Sequence, residues 1–140
     1  MKKTSFILFA AVSMALITIT SCGKYEEGPG FSLRSAKARV VNTWVIEKYI
    51  ANGQDVTSAI LAMFNDHALE FKSDDSYKFT ANGGSETGTW SFDSKKEQLE
   101  LLETGSTTKF NQRILRLTNK EMWLLEEDGT DKIEVHYKTK

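Results

Sequence analysis

The chain has 140 residues, of which 26% are charged and 40% apolar, and its formal net charge is −1. With no basic run and no basic stripe interleaved with aromatic residues, this balance argues against nucleic-acid binding, which requires neutralisation of phosphates. The length suits one domain with a single core, and the lone cysteine, Cys22, excludes an internal disulfide.

Residues 1–21 have the composition of an export signal peptide. The basic start "MKK" precedes the uncharged run "FILFAAVSMALITIT", which is shorter than the roughly 20 residues of a membrane-spanning helix. Residues 19–22, Ile-Thr-Ser-Cys, then resemble the lipobox of bacterial lipoproteins. This resemblance implies that Cys22 is lipidated and that acyl chains such as palmitate anchor the protein in a membrane. The alternative is an ordinary secretory signal followed by an unrelated cysteine.

Residues 22–32 form a predicted lipidated tether. The stretch "GKYEEGPG" combines two adjacent acids with Gly-Pro-Gly and has no apolar period, which predicts a flexible connection. Lys24, Glu26 and Glu27 also resemble the signal that exports lipoproteins of Bacteroidota to the cell surface. A plain acidic tether has the same composition, so both interpretations stay open. We therefore expect an outer membrane lipoprotein, with surface exposure as one of two options.

Residues 33–140 form the predicted folded domain, which opens with two short helices separated by a strand. Apolar residues of "FSLRSAKARVV" recur at helical spacing and predict a short N-terminal helix. Side-chain alternation from Asn42 predicts strand one, which ends at the turn "ANGQ". Asp55 is then the predicted N-cap of a second short helix that runs to Phe64.

Seven further alternating runs follow, separated by turn sequences such as "SDDS", "NGGSE" and Asp128-Gly129. An Asp-Gly pair between alternating runs indicates a tight hairpin, and short turns make neighbouring strands antiparallel. An open meander would leave two unprotected edges. The predicted fold is therefore all-β: an eight-stranded antiparallel up-and-down barrel, with one short helix before strand 1 and another between strands 1 and 2.

Two strand positions depart from simple alternation. In strand six, Phe110 and Ile114 share one face while Leu115 and Leu117 share the other, which predicts a bulge near Ile114. Gly88 lies inside another strand, where a missing side chain relieves crowding as a barrel bends.

Four segments, "NTWVIEKYIANGQDVT", "ALEFKSDDSYKF", "GTWSFD" and "RILRLTNKEMWLLEE", together resemble the lipocalin-like domain of small lipoproteins of Bacteroidota. The resemblance covers residues 40–138 and implies a barrel that is closed near Trp44 and open at its other end, with a small-molecule cavity. Lipocalins begin strand one with Gly-x-Trp and often stack a late basic residue over that tryptophan. Asn42 replaces the glycine here and Lys138 is the candidate base, which implies a structural cousin rather than a standard lipocalin.

The large apolar side chains of inward parity are the candidate ligand-lining residues. An eight-stranded barrel either fills its interior with such side chains or keeps room for one small ligand, and both outcomes stay open. A ligand against this lining would be hydrophobic or amphipathic. The candidates are Trp44, Ile46, Leu69, Phe71, Tyr77, Phe79, Trp90, Phe92, Leu99, Leu101, Ile114, Met122, Leu124, Val135 and Tyr137, with Gln112 as a polar addition.

The second predicted helix lies between strands 1 and 2 in the chain, so it can reach one end of the barrel. Its residues Ile60 and Phe64 are candidates for a lid over the barrel mouth. Simple packing of this helix against the barrel end is the alternative.

No catalytic, metal or cofactor site is predicted. His67 and His136 are distant from one another and lack cysteine partners, which disfavours zinc. The motif "GGSETG" lacks the lysine and helix of a phosphate loop, and "EEDGTD" lacks a full calcium-ligand loop. Residues 106–108 are hydroxyl-bearing, but no histidine is near them in sequence to activate a nucleophile. We therefore expect a protein that is not an enzyme and needs no cofactor.

Two classes of function remain. One is a membrane-anchored protein that binds a small hydrophobic or amphipathic ligand inside the barrel. The other is a protein-interaction module, such as an inhibitor or accessory subunit, that has a filled interior and uses its loops and the outward residues Tyr49, Leu102, Trp123 and Leu125. An exposed Trp123 would mark a partner surface, whereas packing of residues 33–41 over it would make it structural.

Overall fold

Strands with alternating inward and outward side chains close into an antiparallel barrel in the computed structural model of this chain. The structure describes residues 24–27 and 32–140. The predicted signal peptide, residues 1–21, and the predicted lipidation site, Cys22, lie outside this part of the chain. Within it, no helix is long and apolar enough to cross a membrane.

Eight of the nine strands found in the described residues form the barrel. The short strand β2 only extends the hairpin after β1, and β9 returns to pair with β1 from Trp44↔Thr139 to Ala51↔Ile133, which closes the sheet. The predicted fold class is confirmed. In chain order the elements are α1 (Ala36–Val40), β1 (Thr43–Ala51), β2 (Gln54–Asp55), α2 (Thr57–Met63), β3 (Ala68–Phe71), β4 (Ser76–Ala81), β5 (Gly84–Phe92), β6 (Gln98–Glu103), β7 (Lys109–Leu117), β8 (Glu121–Asp128) and β9 (Asp131–Thr139).

The barrel has two different ends. The end formed by α1 and by the turns after β3, β5 and β7 is called the closed end here. The other end, formed by α2 and by the turns after β4, β6 and β8, is called the open end. At the open end, Asn82 and Gly83 have φ angles of 52° and 77°, which suit the two-residue hairpin between β4 and β5.

Large apolar side chains fill the closed half of the barrel. The Trp44 ring is fully buried, and its Nε1 donates a hydrogen bond to the Val40 carbonyl at 2.8 Å, which ties α1 to β1. The Trp90 ring contacts the Phe71 ring edge-on, with centroids 5.4 Å apart. The largest fully buried side chains are Trp44, Phe71, Leu99, Leu117, Met122, Leu124 and Val40.

The predicted bulge in β7 is confirmed, because the β7–β8 register shifts between Ile114 and Arg116. The extra residue, Leu115, turns to the outer wall and is buried there. Leu117 returns to the interior, where it is fully buried. The bulge thus lets both Ile114 and Leu117 join the core although their spacing does not fit simple alternation.

A second bulge, in β1, was not predicted. The β1–β9 register shifts between Ile46 and Lys48, so the strand changes parity at Glu47. Tyr49 consequently pairs with the buried Val135 and shares its inward face. The prediction that Tyr49 belongs to the outer wall is wrong for this reason.

Lys138 does not cover Trp44 either. It pairs with Val45, whose side chain points away from the Trp44 face, and its Nζ lies 3.7 Å from a carboxylate oxygen of Glu47. The buried cation at the closed end is instead Arg39 of α1, which donates to the Leu117 carbonyl at 2.5 Å.

The predicted flexible tether is wrong for residues 24–27, which pack against the barrel. The Tyr25 ring is buried near the Arg39 guanidinium, and its hydroxyl donates to the Lys96 carbonyl at 3.1 Å. The Glu27 amide donates to the Leu115 carbonyl at 2.8 Å. The acid and glycine content of this stretch suggested solvation, but burial of one aromatic ring holds it at the closed end.

Candidate functional site

The interior of the open half contains a cavity of about 250 Å³. Its lining comes from seven barrel strands, β3 to β9, and combines aromatic, aliphatic and acidic side chains. The lining residues are Leu69, Tyr77, Phe79, Glu86, Leu101, Glu103, Phe110, Gln112, Glu126 and Tyr137.

A glycine makes room for one wall of this cavity. A Cβ atom at Gly88 would lie 2.5 Å from Cε1 of Tyr77 and 2.2 Å from the Leu102 carbonyl oxygen. The Tyr77 ring can therefore lie flat against β5 only because residue 88 has no side chain. This contact agrees with the prediction that Gly88 relieves crowding.

Three glutamates face the cavity at the open end. Glu86 pairs with the inward Phe79, while Glu103 and Glu126 each lie two residues beyond an inward leucine, Leu101 or Leu124. Gln112 donates a long hydrogen bond, 3.4 Å, to Glu126. In the described part of the chain, none of the three carboxylates has a Lys, Arg or His nitrogen within 4.0 Å.

Two tyrosine hydroxyls remain protonated donors in this cavity. Burial raises the pKa of Tyr77, and the negative charges of Glu103 and Glu86 raise it further. Burial raises the pKa of Tyr137 far above its ordinary range, with added contributions from Tyr49 and Glu126. Neither hydroxyl has a hydrogen-bond partner among the described residues, so both can donate to a bound molecule.

Helix α2 borders the cavity without lining it. It begins two residues after the predicted N-cap, yet Asp55 accepts a hydrogen bond from the Thr57 amide at 3.0 Å. At the other end of α2, the Asn82 side chain donates to the Met63 carbonyl at 2.8 Å. The Phe64 ring contacts the Phe79 ring edge-on, with centroids 6.2 Å apart.

The predicted lid residues therefore differ in position. Phe64 flanks the mouth through its contact with Phe79, whereas Ile60 is not among the lining residues. A lid role for either residue stays a prediction.

The two histidines have structural contacts. The Ile46 amide donates to Nε2 of His67 at 2.8 Å, and Nδ1 of His67 lies 3.2 Å from the Phe64 carbonyl, so this ring bridges β1 and the segment after α2. His136 stacks on Trp123 with ring centroids 3.9 Å apart. Among residues 24–27 and 32–140, no three His, Cys, Asp or Glu side chains are grouped to hold a metal ion.

The structure divides the predicted ligand-lining set into two groups. Those at the cavity are Leu69, Tyr77, Phe79, Leu101 and Tyr137. Those outside its lining are Trp44, Ile46, Phe71, Trp90, Phe92, Leu99, Ile114, Met122, Leu124 and Val135, all of them buried or partly buried. The sequence interpretation missed Phe110, Glu86, Glu103 and Glu126, although extending the strand alternation toward the open end would have found them.

A second concavity, called the outer groove here, lies on the barrel wall and has a volume of about 500 Å³. Trp123 and Leu125, both predicted to face outward, line this groove, whereas Leu102, also predicted outward, lies outside its lining. The groove is bordered by Glu26 and Glu27 rather than by residues 33–41. The interpretation that the N-terminal helix covers Trp123 is therefore wrong, because α1 packs at the closed end.

Trp123 already has contacts within the chain. Its ring stacks on His136 with planes 3° apart, and the Arg116 guanidinium carbon lies 5.2 Å from the ring centroid. Leu125 is buried. The exposed Trp123-Leu125 pair that would mark a partner surface is absent from this wall.

No family model matches the chain, and no curated protein matches it. Its fold is similar to that of a lipocalin-like protein from Bacteroides uniformis, with a TM-score of 0.55 and 11% identity, over 73% of this chain and 99% of that one. It is also similar to a DUF4847 family protein from Bacteroides vulgatus, with a TM-score of 0.53 and 13% identity, over 71% and 93% of the respective chains. A mutant LTBP1 in complex with leukotriene C4 gives a TM-score of only 0.47 at 12% identity, over 77% and 71%, which is too low to support an argument. The two Bacteroides structures establish a lipocalin-like fold, and that alone.

Proposed function

We propose that this protein is an exported lipoprotein whose barrel binds one small amphipathic molecule at its open end. The observation that carries the proposal is the contrast within the barrel, where a filled core gives way to a cavity of about 250 Å³. Binding sites for small molecules are concave and mostly apolar, with a few polar groups that fix orientation. The open end is concave and combines apolar and aromatic side chains with a larger polar share than this, from three glutamates and Gln112. The proposed role does not include catalysis.

The size and lining of the cavity limit the ligand. Its volume lies just below the range of about 300–1,000 Å³ that is common for ligand sites, so the molecule is small. Its apolar part would contact Leu69, Phe79 and Leu101, while its polar part would meet the free hydroxyls of Tyr77 and Tyr137. The half-exposed Phe110 at the mouth would lose solvent contact on binding.

The proposed lipid anchor would hold the barrel close to the membrane. Cys22 precedes the buried Tyr25 by three residues, a reach of at most about 11 Å for an extended chain. The closed end, to which Tyr25 is fixed, would then face the lipid, and the open end would face away from it. A Cys22→Ala variant should leave the membrane fraction. Membrane association of this variant equal to that of the wild type would contradict lipid anchoring.

Native mass spectrometry of the protein purified under mild conditions tests ligand binding. We expect a bound small molecule in the wild type and its loss in Leu101→Trp, which would fill the cavity. The matched control is Leu102→Trp, because Leu102 neighbours Leu101 on β6 but points to the other face. Equal small-molecule content in the two variants, or none in the wild type, would contradict the proposal.

A protein-interaction role through the outer groove has less support. The groove is larger than the cavity, but its central aromatic residue, Trp123, is stacked on His136 within the same chain. The Nε1 of this ring is buried without an acceptor in the described residues, so a partner could bond to it only if the wall rearranged. The cavity at the open end requires no such rearrangement.

A further inference from the structure

We propose that the molecule bound at the open end carries a positive charge next to its apolar part. This inference rests on the proposed binding function and specifies its ligand class. Three carboxylates, those of Glu86, Glu103 and Glu126, line the cavity, and its lining contains no Lys, Arg or His. Among the described residues, the cavity lining therefore carries three formal negative charges and no positive one, and a concave site lined by charges of one sign favours a ligand of the opposite sign.

Other glutamates on the same strands do have cationic partners. Glu100 of β6 lies 2.7 Å from Nζ of Lys109, and Glu127 of β8 lies 2.9 Å from Nζ of Lys132. Both point to the outer wall, where their partners are supplied by neighbouring strands or turns. The inward Glu103 and Glu126 lie on these strands without such partners in the described chain. On β6 and β8, the outward glutamates Glu100 and Glu127 are thus paired, whereas the inward Glu103 and Glu126 are not.

Two of the three carboxylates are partly withdrawn from water. Glu103 and Glu126 are partly buried, whereas Glu86 is exposed. Their negative charges would attract a bound cation and repel a bound anion. The charge of the ligand therefore follows from the charge that the barrel leaves unpaired.

The tyrosines give a second, independent indication. Tyr77 is only 7% exposed, its hydroxyl has no hydrogen-bond partner among the described residues, and its ring lines the cavity. With Phe79 and Tyr137 it places three aromatic rings in the lining, and the faces of such rings attract cations. An organic cation could contact these rings while it pairs with Glu103 or Glu126.

An organic cation fits this geometry better than a metal ion does. No three carboxylates or histidines of the described chain are grouped closely enough to coordinate one ion. The apolar residues Leu69, Phe79 and Leu101 provide contacts for a hydrocarbon part that a metal ion lacks. A primary or quaternary ammonium with one small ring or a short chain matches both features.

A titration monitored by ¹H–¹⁵N NMR tests the inference with three probes of similar size: 2-phenylethylammonium, 2-phenylethanol and phenylacetate. We expect the cation to bind at least about tenfold more tightly than the alcohol, and the anion to bind most weakly. Equal affinities for cation and alcohol would overturn the charge inference and leave the binding function intact. Absence of binding by all three probes would overturn both.

Variants that replace one carboxylate by a neutral amide distinguish direct pairing with the bound cation from attraction by the protein's overall electrostatic field. In Glu103→Gln and Glu126→Gln, cation affinity should fall about tenfold while affinity for 2-phenylethanol stays unchanged. Glu100→Gln is the matched control, since this residue also lies on β6 but faces outward. The amide spectrum of each variant reports whether the barrel is intact. An equal loss of cation affinity in Glu100→Gln would contradict a site at the cavity.

Discussion

The closed and open halves of this barrel are built from the same strands but from different side chains. Along β6, Leu99 is fully buried in the closed half, Leu101 lies at the cavity, and Glu103 ends the inward series at the open end. Along β8, Met122 and Leu124 are buried before Glu126 reaches the cavity. Both strands therefore change from filled core to cavity lining over about two inward positions. We expect stability to depend mainly on the closed half and the proposed ligand binding to depend on the open half.

The substitution with the largest expected loss of stability tests the closed half. Trp44→Ala should lower the free energy of unfolding by about 3–5 kcal/mol, because it removes a fully buried ring and its hydrogen bond to Val40. Phe110→Ala at the open end should cost less than about 1 kcal/mol, since Phe110 is 49% exposed. Urea denaturation followed by tryptophan fluorescence or far-ultraviolet circular dichroism measures both. Equal losses would contradict the division of the barrel into two halves.

Gly88→Ala tests the boundary between the halves. The added Cβ would meet the Tyr77 ring and the Leu102 carbonyl, which should cost about 1–3 kcal/mol. Gly84→Ala on the same strand is the control, because its Cβ would meet only the Ala81 carbonyl oxygen at 3.6 Å. Urea midpoints of the two variants provide the comparison. A loss of stability in Gly84→Ala as large as that in Gly88→Ala would refute the role of Gly88.

Phe64→Asp tests the predicted lid at the open end. We expect a stability loss of less than about 1 kcal/mol, because Phe64 is only partly buried, but faster release of a bound molecule. Line-shape analysis of the 2-phenylethylammonium titration measures the release rate. Met63→Asp is the control, because Met63 is the last residue of α2, precedes Phe64 directly and is 64% exposed. If Phe64→Asp unfolds the barrel, or releases the probe no faster than Met63→Asp does, the lid role is excluded.

The smallest expected effect concerns the pH dependence of stability. It appears only at alkaline pH and is absent at neutral pH. Burial raises the pKa of Tyr137, so the folded protein holds this proton more tightly than the unfolded chain does. The resulting stabilisation is present below the unfolded pKa of about 10 and is lost as pH rises above it. Tyr137→Phe should therefore reduce the slope of unfolding free energy against pH between about 10 and 12. Identical slopes in wild type and variant would contradict burial of this hydroxyl.

Local patterns were sufficient to predict the fold. Alternation and turn residues specify each hairpin, and short connections leave few alternatives to a closed meander. The bulge at Ile114 was predictable because three large apolar residues change face there. The bulge at Glu47 was not, since it is followed by Tyr49 and Ile50, and either of them could face the interior.

The candidate site was predicted only in part, because alternation identifies a side chain's face but not its height along the barrel axis. Trp90 and Tyr77 both face inward, yet one belongs to the core and the other to the cavity wall. Packing of Tyr25 was missed for a different reason. Its hydroxyl reaches the carbonyl of Lys96, which is 71 residues away in sequence, and no local pattern reports such a contact.

The position of a bound molecule tests the central claim most directly. Isotope-filtered nuclear Overhauser measurements on the complex with 2-phenylethylammonium would identify the protons nearest to its ring. We predict contacts with Tyr77, Phe79 and Leu101 inside the open half. Contacts with Trp123 and Leu125 in the outer groove, and none with interior side chains, would contradict a binding site at the open end of the barrel.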